Sequence, residues 1–305
     1  MKFIVILNSK AGTAAKGSEE LAPDALRTAF SEAGAEADVR AVTPDQIEAT
    51  LREAVSTRPD AVIIGGGDGT VRSAAGLLAG TGIALGVLPL GTLNHFAKDL
   101  KIPPTVKDAI AVFAAGVVRE VDVGEVNGHV FINNCSLGSY AEAVRRRDAL
   151  RDTHGHGKWP AMIRASFQVF RRLRRMHLRF TSADGKSRSV RTPVVVIANN
   201  RYSGHVLDKT MRARLDEGHL WLYTAHVHRH LAALRLALQS LVRRLDEADA
   251  LASEAVTEIT IASERGPLPV AMDGEPVELP SPLHFRIRPR ALRVLVPRDE
   301  RNGQT

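Results

Sequence analysis

The most constraining feature of the sequence is an apolar run that leads directly into a glycine-rich segment and then into a helical pattern. Residues 61–64 read Ala-Val-Ile-Ile, and Gly65-Gly66-Gly67-Asp68-Gly69-Thr70 follow. Glycine lets a backbone approach a phosphate closely, and a helix N-terminus offers N–H groups and the positive end of its dipole. An aspartate beside phosphates indicates a cation such as Mg²⁺ between them. The segment predicts a nucleotide-phosphate loop; a tight turn capped by Asp68 is the alternative.

Two familiar nucleotide fingerprints do not fit this chain. The dinucleotide pattern G-x-G-x-x-G would need glycine at Thr70 or Arg72, and the P-loop pattern, which nearly fits residues 12–17, would need lysine at Ser18. The predicted phosphate loop is therefore of another kind.

Hydrophobic patterns divide the 305 residues into two parts. Strand patterns at 3–7, 37–41, 61–64 and 83–88 alternate with helix patterns at 19–33, 45–56, 71–78 and 106–115. This alternation predicts an α/β domain over 1–121, with a parallel sheet covered on both faces. Strand patterns dominate afterwards, and predict a mostly antiparallel β-sandwich domain over 122–290. A strand near 291–298 is expected to return to the first domain.

Two further loops follow predicted strands of the first domain. Residues 8–12 read Asn-Ser-Lys-Ala-Gly, and residues 89–94 read Pro-Leu-Gly-Thr-Leu-Asn. The carboxyl ends of parallel strands meet at one edge of a sheet, where open α/β sheets bind ligands. We expect these loops and the glycine-rich segment to converge there.

The positive charge of the chain is local. The chain has a formal net charge of +7. Residues 145–191 hold fourteen Lys or Arg and three Asp, which is a larger excess than that of the whole chain. Residues 158–176 interleave arginines with apolar residues, which predicts either a helix on an anionic membrane surface or one packed on the sandwich. Nucleic acid is not an expected partner, because aromatic residues that could stack on bases are sparse in the basic region after Phe180.

Cysteine usage and the N-terminal residues indicate a cytoplasmic protein. The chain has a single cysteine, Cys135, which cannot form an internal disulfide. The apolar run at 3–7 is shorter than the core of a signal peptide. Residues 73–94 are uncharged but contain five glycines and Pro89, so we expect a helix, a turn, a strand and a loop there rather than a membrane span. Pairing of edge strands leaves a homodimer open.

Four motifs occur in a characteristic order along the chain. They are Asn8-x-x-Ala11-Gly12, Gly66-Gly67-Asp68-Gly69-Thr70, Pro89-Leu90-Gly91-Thr92-Leu93-Asn94-x-x-Ala97-Lys98 and Asp273-Gly274-Glu275. Taken together, these motifs resemble the diacylglycerol kinase catalytic-domain family, the soluble bacterial lipid kinases and their sphingosine and ceramide kinase relatives. The resemblance extends over nearly the whole chain.

The resemblance implies an ATP- and Mg²⁺-dependent kinase of phospholipid metabolism that phosphorylates a lipid hydroxyl on a diacylglycerol-like or sphingoid acceptor. It assigns the general base to Glu275, and Asp68 holds Mg²⁺ through water. It places a structural metal at the Glu217 carboxylate and the carbonyls of Arg214 and His219. It places the nucleotide site at Asn8, Ser9, Lys10, Ala11, Gly12, Thr43, Gly66, Gly67, Asp68, Gly69, Thr70, Val71, Arg72 and Thr92.

The chain departs from the family pattern at four positions. His95 stands where the family often has Asp, Arg72-Ser73 replaces an Asn-Glu pair, and Glu217 replaces an Asp. The first two changes make the site less acidic. Two alternatives stay open: a kinase for NAD or another small molecule, which would share the glycine-rich loop, and a non-catalytic lipid-binding relative. By itself, Asp273-Gly274 also fits an ordinary hairpin turn.

Overall fold

A computed structural model describes residues 2–11, 19–138, 175–202, 212–225 and 251–298. The chain divides into two compact units. The first comprises Met1–Val123 and Pro289–Thr305, and the second comprises Gly124–Arg288.

The first unit is built on parallel strands in the order β2-β1-β3-β4. β3 is buried along its whole length, which explains its unbroken apolar sequence. The helices are amphipathic: α2 buries Ile47, Leu51 and Ala54, which share one face. The elements are β1 (Lys2–Asn8), α1 (Pro23–Glu32), β2 (Glu36–Val42), α2 (Ile47–Ser56), β3 (Ala61–Gly66), α3 (Asp68–Leu78), β4 (Ala84–Pro89), α4 (His95–Asp99) and α5 (Val106–Ala115).

Helix starts differ from the sequence predictions for local reasons. The helix predicted over 19–33 begins at Pro23, after a separate 3-10 turn, because proline has no N–H and fits the first turn of a helix. A second 3-10 turn, Pro44–Gln46, likewise precedes α2. α3 begins at Asp68 instead of residue 71, so the aspartate lies in its first turn. The short helix α4 was not predicted.

The second unit consists of two antiparallel sheets. One has the order β16-β13-β8-β9, with β5 beside β16 and β6 beside β5, and the other has the order β12-β11-β10-β7-β14-β15. The strands are β5 (Val117–Val126), β6 (His129–Phe131), β7 (Asn134–Gly138), β8 (Met176–Ser182), β9 (Ser187–Thr192), β10 (Val194–Asn199), β11 (Leu220–Ala225), β12 (Leu251–Val256), β13 (Glu258–Ser263), β14 (Val270–Met272), β15 (Glu275–Val277) and β16 (Leu283–Val296).

Both sheets of this unit contribute to one hydrophobic core. Phe180 and Phe285 come from the first sheet, and Cys135, Ile197 and Leu222 come from the second. The predicted fold class, a parallel α/β domain followed by an antiparallel β-sandwich, is confirmed.

β16 is one strand where the sequence predicts two, at 283–288 and 292–296. Pro289 interrupts the apolar alternation, and Arg290 adopts a left-handed conformation with a φ of 51°. The Arg290 N–H donates to Asp122 Oδ1 at 2.8 Å, so the irregular backbone still has a partner. Before this point β16 pairs antiparallel with β13, and after it β16 pairs parallel with β4.

Other predicted elements have different outcomes. The strand predicted over 190–198 is two strands, β9 and β10, separated at Pro193. β7, β12 and β15 were not predicted. The helix predicted over 229–250 and nearly all of the basic amphipathic stretch lie outside the described residues. Within the described part of the chain, no helix is long and apolar enough to cross a membrane.

Candidate active site

Four strand-end loops of the first unit lie along one edge of its sheet. Because β2, β1, β3 and β4 are parallel neighbours, their carboxyl ends place Thr43, residues 8–11, residues 66–70 and residues 89–94 in a row. The convergence expected of the three loops is therefore present in the fold, and Thr43 joins it from the outer strand. Gly12 lies outside the described residues.

Close backbone contact joins the glycine-rich segment to the loop after β4. A Cβ added to Gly91 would lie 2.6 Å from the Gly67 Cα, nearer than real Cβ contacts come. A Cβ added to Gly66 would lie 2.7 Å from the Thr70 Cβ. Glycine is required at both positions because a neighbour occupies the space of a side chain.

Hydrogen bonds connect the loops in pairs. Asn8 Nδ2 donates to Thr70 Oγ1 at 3.2 Å, which ties the end of β1 to the start of α3. The His95 backbone N–H donates to Asp68 Oδ1 at 2.9 Å, which ties the start of α3 to the start of α4. The Ser9 N–H donates to the Val42 carbonyl at 2.9 Å and extends the chain of contacts to β2.

Asn94 shapes the loop after β4. Its backbone is left-handed, with a φ of 51°. Its side chain accepts from the Gly91 N–H at 2.9 Å, and its Nδ2 donates to the Gly91 carbonyl at 2.9 Å. The loop is thus closed on itself, and the exposed Thr92 lies at its tip.

Charged and polar side chains complete the edge at Thr43 and Lys10. A hydrogen bond with the Thr43 side chain is the main cause that lowers the pKa of Asp45, and the charge of Lys10 adds to it. Lys10 is exposed, and its N–H donates to Asn8 Oδ1 at 3.0 Å. On α3, Gly69 lies in the first turn, Val71 is buried, and Arg72 is half-buried.

In the second unit, Glu275 lies on a tight hairpin between β14 and β15. Asp273 and Gly274 form the turn, both with positive φ, of 49° and 82°. Two left-handed residues match the twist of a two-residue hairpin, which explains the Asp-Gly sequence. The predicted hairpin turn is therefore present, and the Glu275 side chain, opposite Met272 in the register, is exposed.

The Asp273 carboxylate is buried and holds the hairpin to the turn before β7. Its Oδ1 accepts from the N–H groups of Asn133 at 2.7 Å and Asn134 at 3.0 Å, and its Oδ2 accepts from that of Ile132 at 2.9 Å. In return, the Asp273 N–H donates to the Asn134 carbonyl at 2.8 Å. These hydrogen bonds fix the position of Asp273, which lies two residues before Glu275.

Comparison with known proteins identifies the family. The model of the diacylglycerol kinase catalytic domain matches residues 2–126, and that of the YegS C-terminal NAD kinase beta sandwich-like domain matches residues 133–296. A Pseudomonas aeruginosa protein named "Probable lipid kinase YegS-like" is 31% identical over 97% of this chain and 94% of its own length. The chain belongs to the YegS-like lipid kinase family, and its first part matches a diacylglycerol kinase catalytic domain.

Two further proteins are similar to this chain in sequence or in fold. A diacylglycerol kinase of Bacillus subtilis is 38% identical over 37% of this chain and 39% of its own length. The crystal structure of a diacylglycerol kinase from Bacillus anthracis shares the fold, with a TM-score of 0.68 at 18% identity over 97% of this chain and 96% of that one. The resemblance predicted from the motifs is confirmed.

The segment predicted to bind a structural metal makes several hydrogen bonds within the protein. Glu217 Oε2 accepts from the Arg201 N–H at 2.9 Å and from Trp221 Nε1 at 3.2 Å. The His219 carbonyl accepts from the Asn200 N–H at 3.2 Å. Two of the three predicted ligands thus accept hydrogen bonds from the protein, and both oxygens keep further lone pairs that a cation could use. The metal at Arg214, Glu217 and His219 stays a prediction, and no later step uses it.

Sequence reasoning missed several groups that shape these sites. The hydrogen bonds of the Asn94 side chain and of the His95 backbone N–H, which hold the strand-end loops together, were not predicted. Asp273 was noted as part of a family motif and as a turn residue, but its role as a buried acceptor of three N–H groups was not predicted. Arg212, which is 4% exposed, has no local sequence signal, because its partners are far away in the chain.

Proposed function

We propose that this lipid kinase transfers the γ-phosphate of ATP-Mg²⁺ to the hydroxyl of a lipid alcohol, with Glu275 as general base. The observation that carries the proposal is the row of strand-end loops in a chain of this family. The loops at 8–11, 66–70 and 89–94 offer small residues, N–H groups and the N-terminus of α3, which suit phosphates. ATP fits this edge through Asn8–Ala11, Thr43, Gly66–Arg72 and Thr92.

Asp68 is the group proposed to face the cation. It lies half-buried in the first turn of α3, and the His95 N–H fixes its carboxylate. Carboxylate oxygen is a ligand that Mg²⁺ accepts, and kinase Mg²⁺ sites use one or two carboxylates with phosphate oxygens and water. Mg²⁺ neutralises charge on the phosphates when it is bound. The described residues include no cluster of three or more His, Cys, Asp or Glu side chains suited to a metal, and a site of this kind needs none.

Glu275 is proposed to accept the proton of the attacking hydroxyl. It is exposed at the end of a short hairpin whose turn is held by the buried Asp273. Acceptance of this proton raises the nucleophilicity of the lipid oxygen as it attacks phosphorus. We further propose that the acceptor is diacylglycerol-like or sphingoid and that the protein meets it at an anionic membrane surface.

The test is transfer of labelled γ-phosphate from ATP-Mg²⁺ to a total membrane lipid extract. Glu275→Gln keeps the size of the side chain but cannot act as a base, so we expect the turnover to fall by about 10²–10⁴-fold. Glu278→Gln, which alters an exposed carboxylate three residues away, is the matched control and should retain activity.

Each alternative has a distinct result in this assay. Labelled NAD with no labelled lipid would support the small-molecule kinase. Binding to vesicles without any turnover of ATP would support a non-catalytic lipid-binding protein. Full lipid labelling by Glu275→Gln would contradict the role of Glu275 alone.

A further inference from the structure

The second unit buries a guanidinium in a polar network that the proposed chemistry does not use directly. Arg212 is 4% exposed. Its Nη1 donates to the carbonyls of Ile132 at 2.6 Å and Asn199 at 2.8 Å, and its Nη2 donates to Asn133 Oδ1 at 3.0 Å. A buried cation persists only where its donors are satisfied, so these contacts constrain the backbone around them.

Arg212 and Asp273 hold the same stretch of backbone from opposite sides. The N–H groups of residues 132–134 point to the Asp273 carboxylate, while the Ile132 carbonyl accepts from Arg212. The Ile132 carbonyl also accepts from Asn199 Nδ2 at 3.0 Å. A peptide polarised at both ends by opposite charges makes stronger hydrogen bonds than one held at a single end. The hold on Asp273 therefore depends on Arg212.

The same guanidinium is tied to the segment predicted to bind a metal. Arg212 contacts the Asn199 carbonyl, and the next residue, Asn200, donates its N–H to the His219 carbonyl. Asn200 Oδ1 accepts from the Glu217 N–H at 3.0 Å. Hydrogen bonds within the protein thus run from residues 217–219, through residues 199–200 and Arg212, to the Asp273 hairpin.

We propose that Arg212 is a positioning residue for Glu275. It fixes residues 132–134, these residues fix the Asp273 carboxylate, and Asp273 sets the hairpin on which Glu275 stands. In this chain the buried guanidinium orders the segment for which a structural metal was predicted. The inference rests on the proposed function, because it needs Glu275 as the base.

The kinetic test compares Arg212→Gln and Arg212→Lys with Arg179→Gln, an exposed arginine of the same unit. We expect Arg212→Gln to lower the maximal rate of lipid labelling at least tenfold and to change the KM for ATP less than twofold. Arg212→Lys, which keeps the charge, should recover part of the rate, and Arg179→Gln should keep all of it. In a Glu275→Gln background the further loss from Arg212→Gln should be less than twofold. Equal losses in both backgrounds would mean that Arg212 does not act through Glu275.

Amide hydrogen exchange tests the same role without measuring activity. If Arg212→Gln does not fold, Arg212→Lys is used in its place. Amide hydrogen exchange at residues 132–134 should be at least tenfold faster in the Arg212 variant than in the wild type. EDTA should leave the wild-type rates unchanged. Unchanged exchange in the variant, or faster wild-type exchange in EDTA that Mg²⁺ reverses, would overturn the positioning role. A wild-type protein that labels no lipid would instead overturn the proposed function, and the catalytic part of this inference with it.

Discussion

Backbone contacts hold the strand-end loops of the first unit, whereas buried charged side chains hold the Glu275 hairpin of the second. In the strand-end loops, the backbones of Gly67 and Gly91 lie in close contact, and short polar side chains such as Asn8 and Thr70 link the loops. At the hairpin, Asp273 and Arg212 both form hydrogen bonds with the backbone of residues 132–134. The first arrangement leaves backbone N–H groups at the edge where the nucleotide is proposed to bind, and the second fixes the turn beside a single exposed carboxylate, Glu275.

The two arrangements should respond differently to substitution. A backbone contact is disrupted by added volume, since it depends on a missing side chain. A charged network is disrupted by loss of one partner, since the rest is left buried without compensation. Three variants test this contrast, in decreasing order of expected effect.

Loss of the Asp273 charge should have the largest effect. An asparagine has one acceptor oxygen and an NH₂ group that would face an N–H donor, so Asp273→Asn should lower the free energy of unfolding by about 3 kcal/mol. The matched control is Asp184→Asn, at the exposed Asp-Gly turn between β8 and β9, where the change should be much smaller. Denaturant unfolding measures both, and equal effects would show that the Asp273 carboxylate matters only as a turn residue.

Added volume at Gly91 should have an intermediate effect. The new methyl group of Gly91→Ala would press on the Gly67 Cα, so we expect a loss of about 2 kcal/mol together with weaker ATP binding. In Gly67→Ala the new methyl group would lie 3.9 Å from the Gly91 Cα, an ordinary contact, and stability should change little. Thermal unfolding and nucleotide titration compare the two. A stable Gly91→Ala protein with wild-type ATP affinity would contradict the close packing of these loops.

Loss of an exposed ion pair should have the smallest effect. Arg188 pairs with Glu254 across β9 and β12, and both side chains are partly exposed, at 54% and 39%. Arg188→Gln should cost less than about 1 kcal/mol, and the cost should shrink in high salt. Urea unfolding at low and high salt checks this. A cost as large as that of Arg212→Gln would remove the distinction between buried and exposed arginines.

The sequence predicts most of the first unit because its signals are local. Apolar runs mark β1, β3 and β4, and the glycines at 65–67 mark the place where two loops meet. The start of α1 was misjudged by four residues, because the 3-10 turn before Pro23 has the same composition as a helix.

The network of the second unit could not be predicted from the sequence. Ile132 is separated by 80 residues from Arg212 and by 141 from Asp273. A short sequence pattern cannot predict these hydrogen bonds, because they form only after distant strands have paired. β16 shows a milder version of the same limit, because the apolar pattern breaks at Pro289 although the strand continues.

The shared strand β16 also has a consequence for synthesis on the ribosome. The residues that pair with β4 are 293 and 294, and the whole of the second unit, Gly124–Arg288, is translated before them. Until then the first unit carries β4 as an uncovered edge, open to pairing with other nascent chains. We therefore expect emergence of residues 293 and 294 from the ribosome, rather than completion of residue 123, to be the moment at which the first unit can complete its sheet.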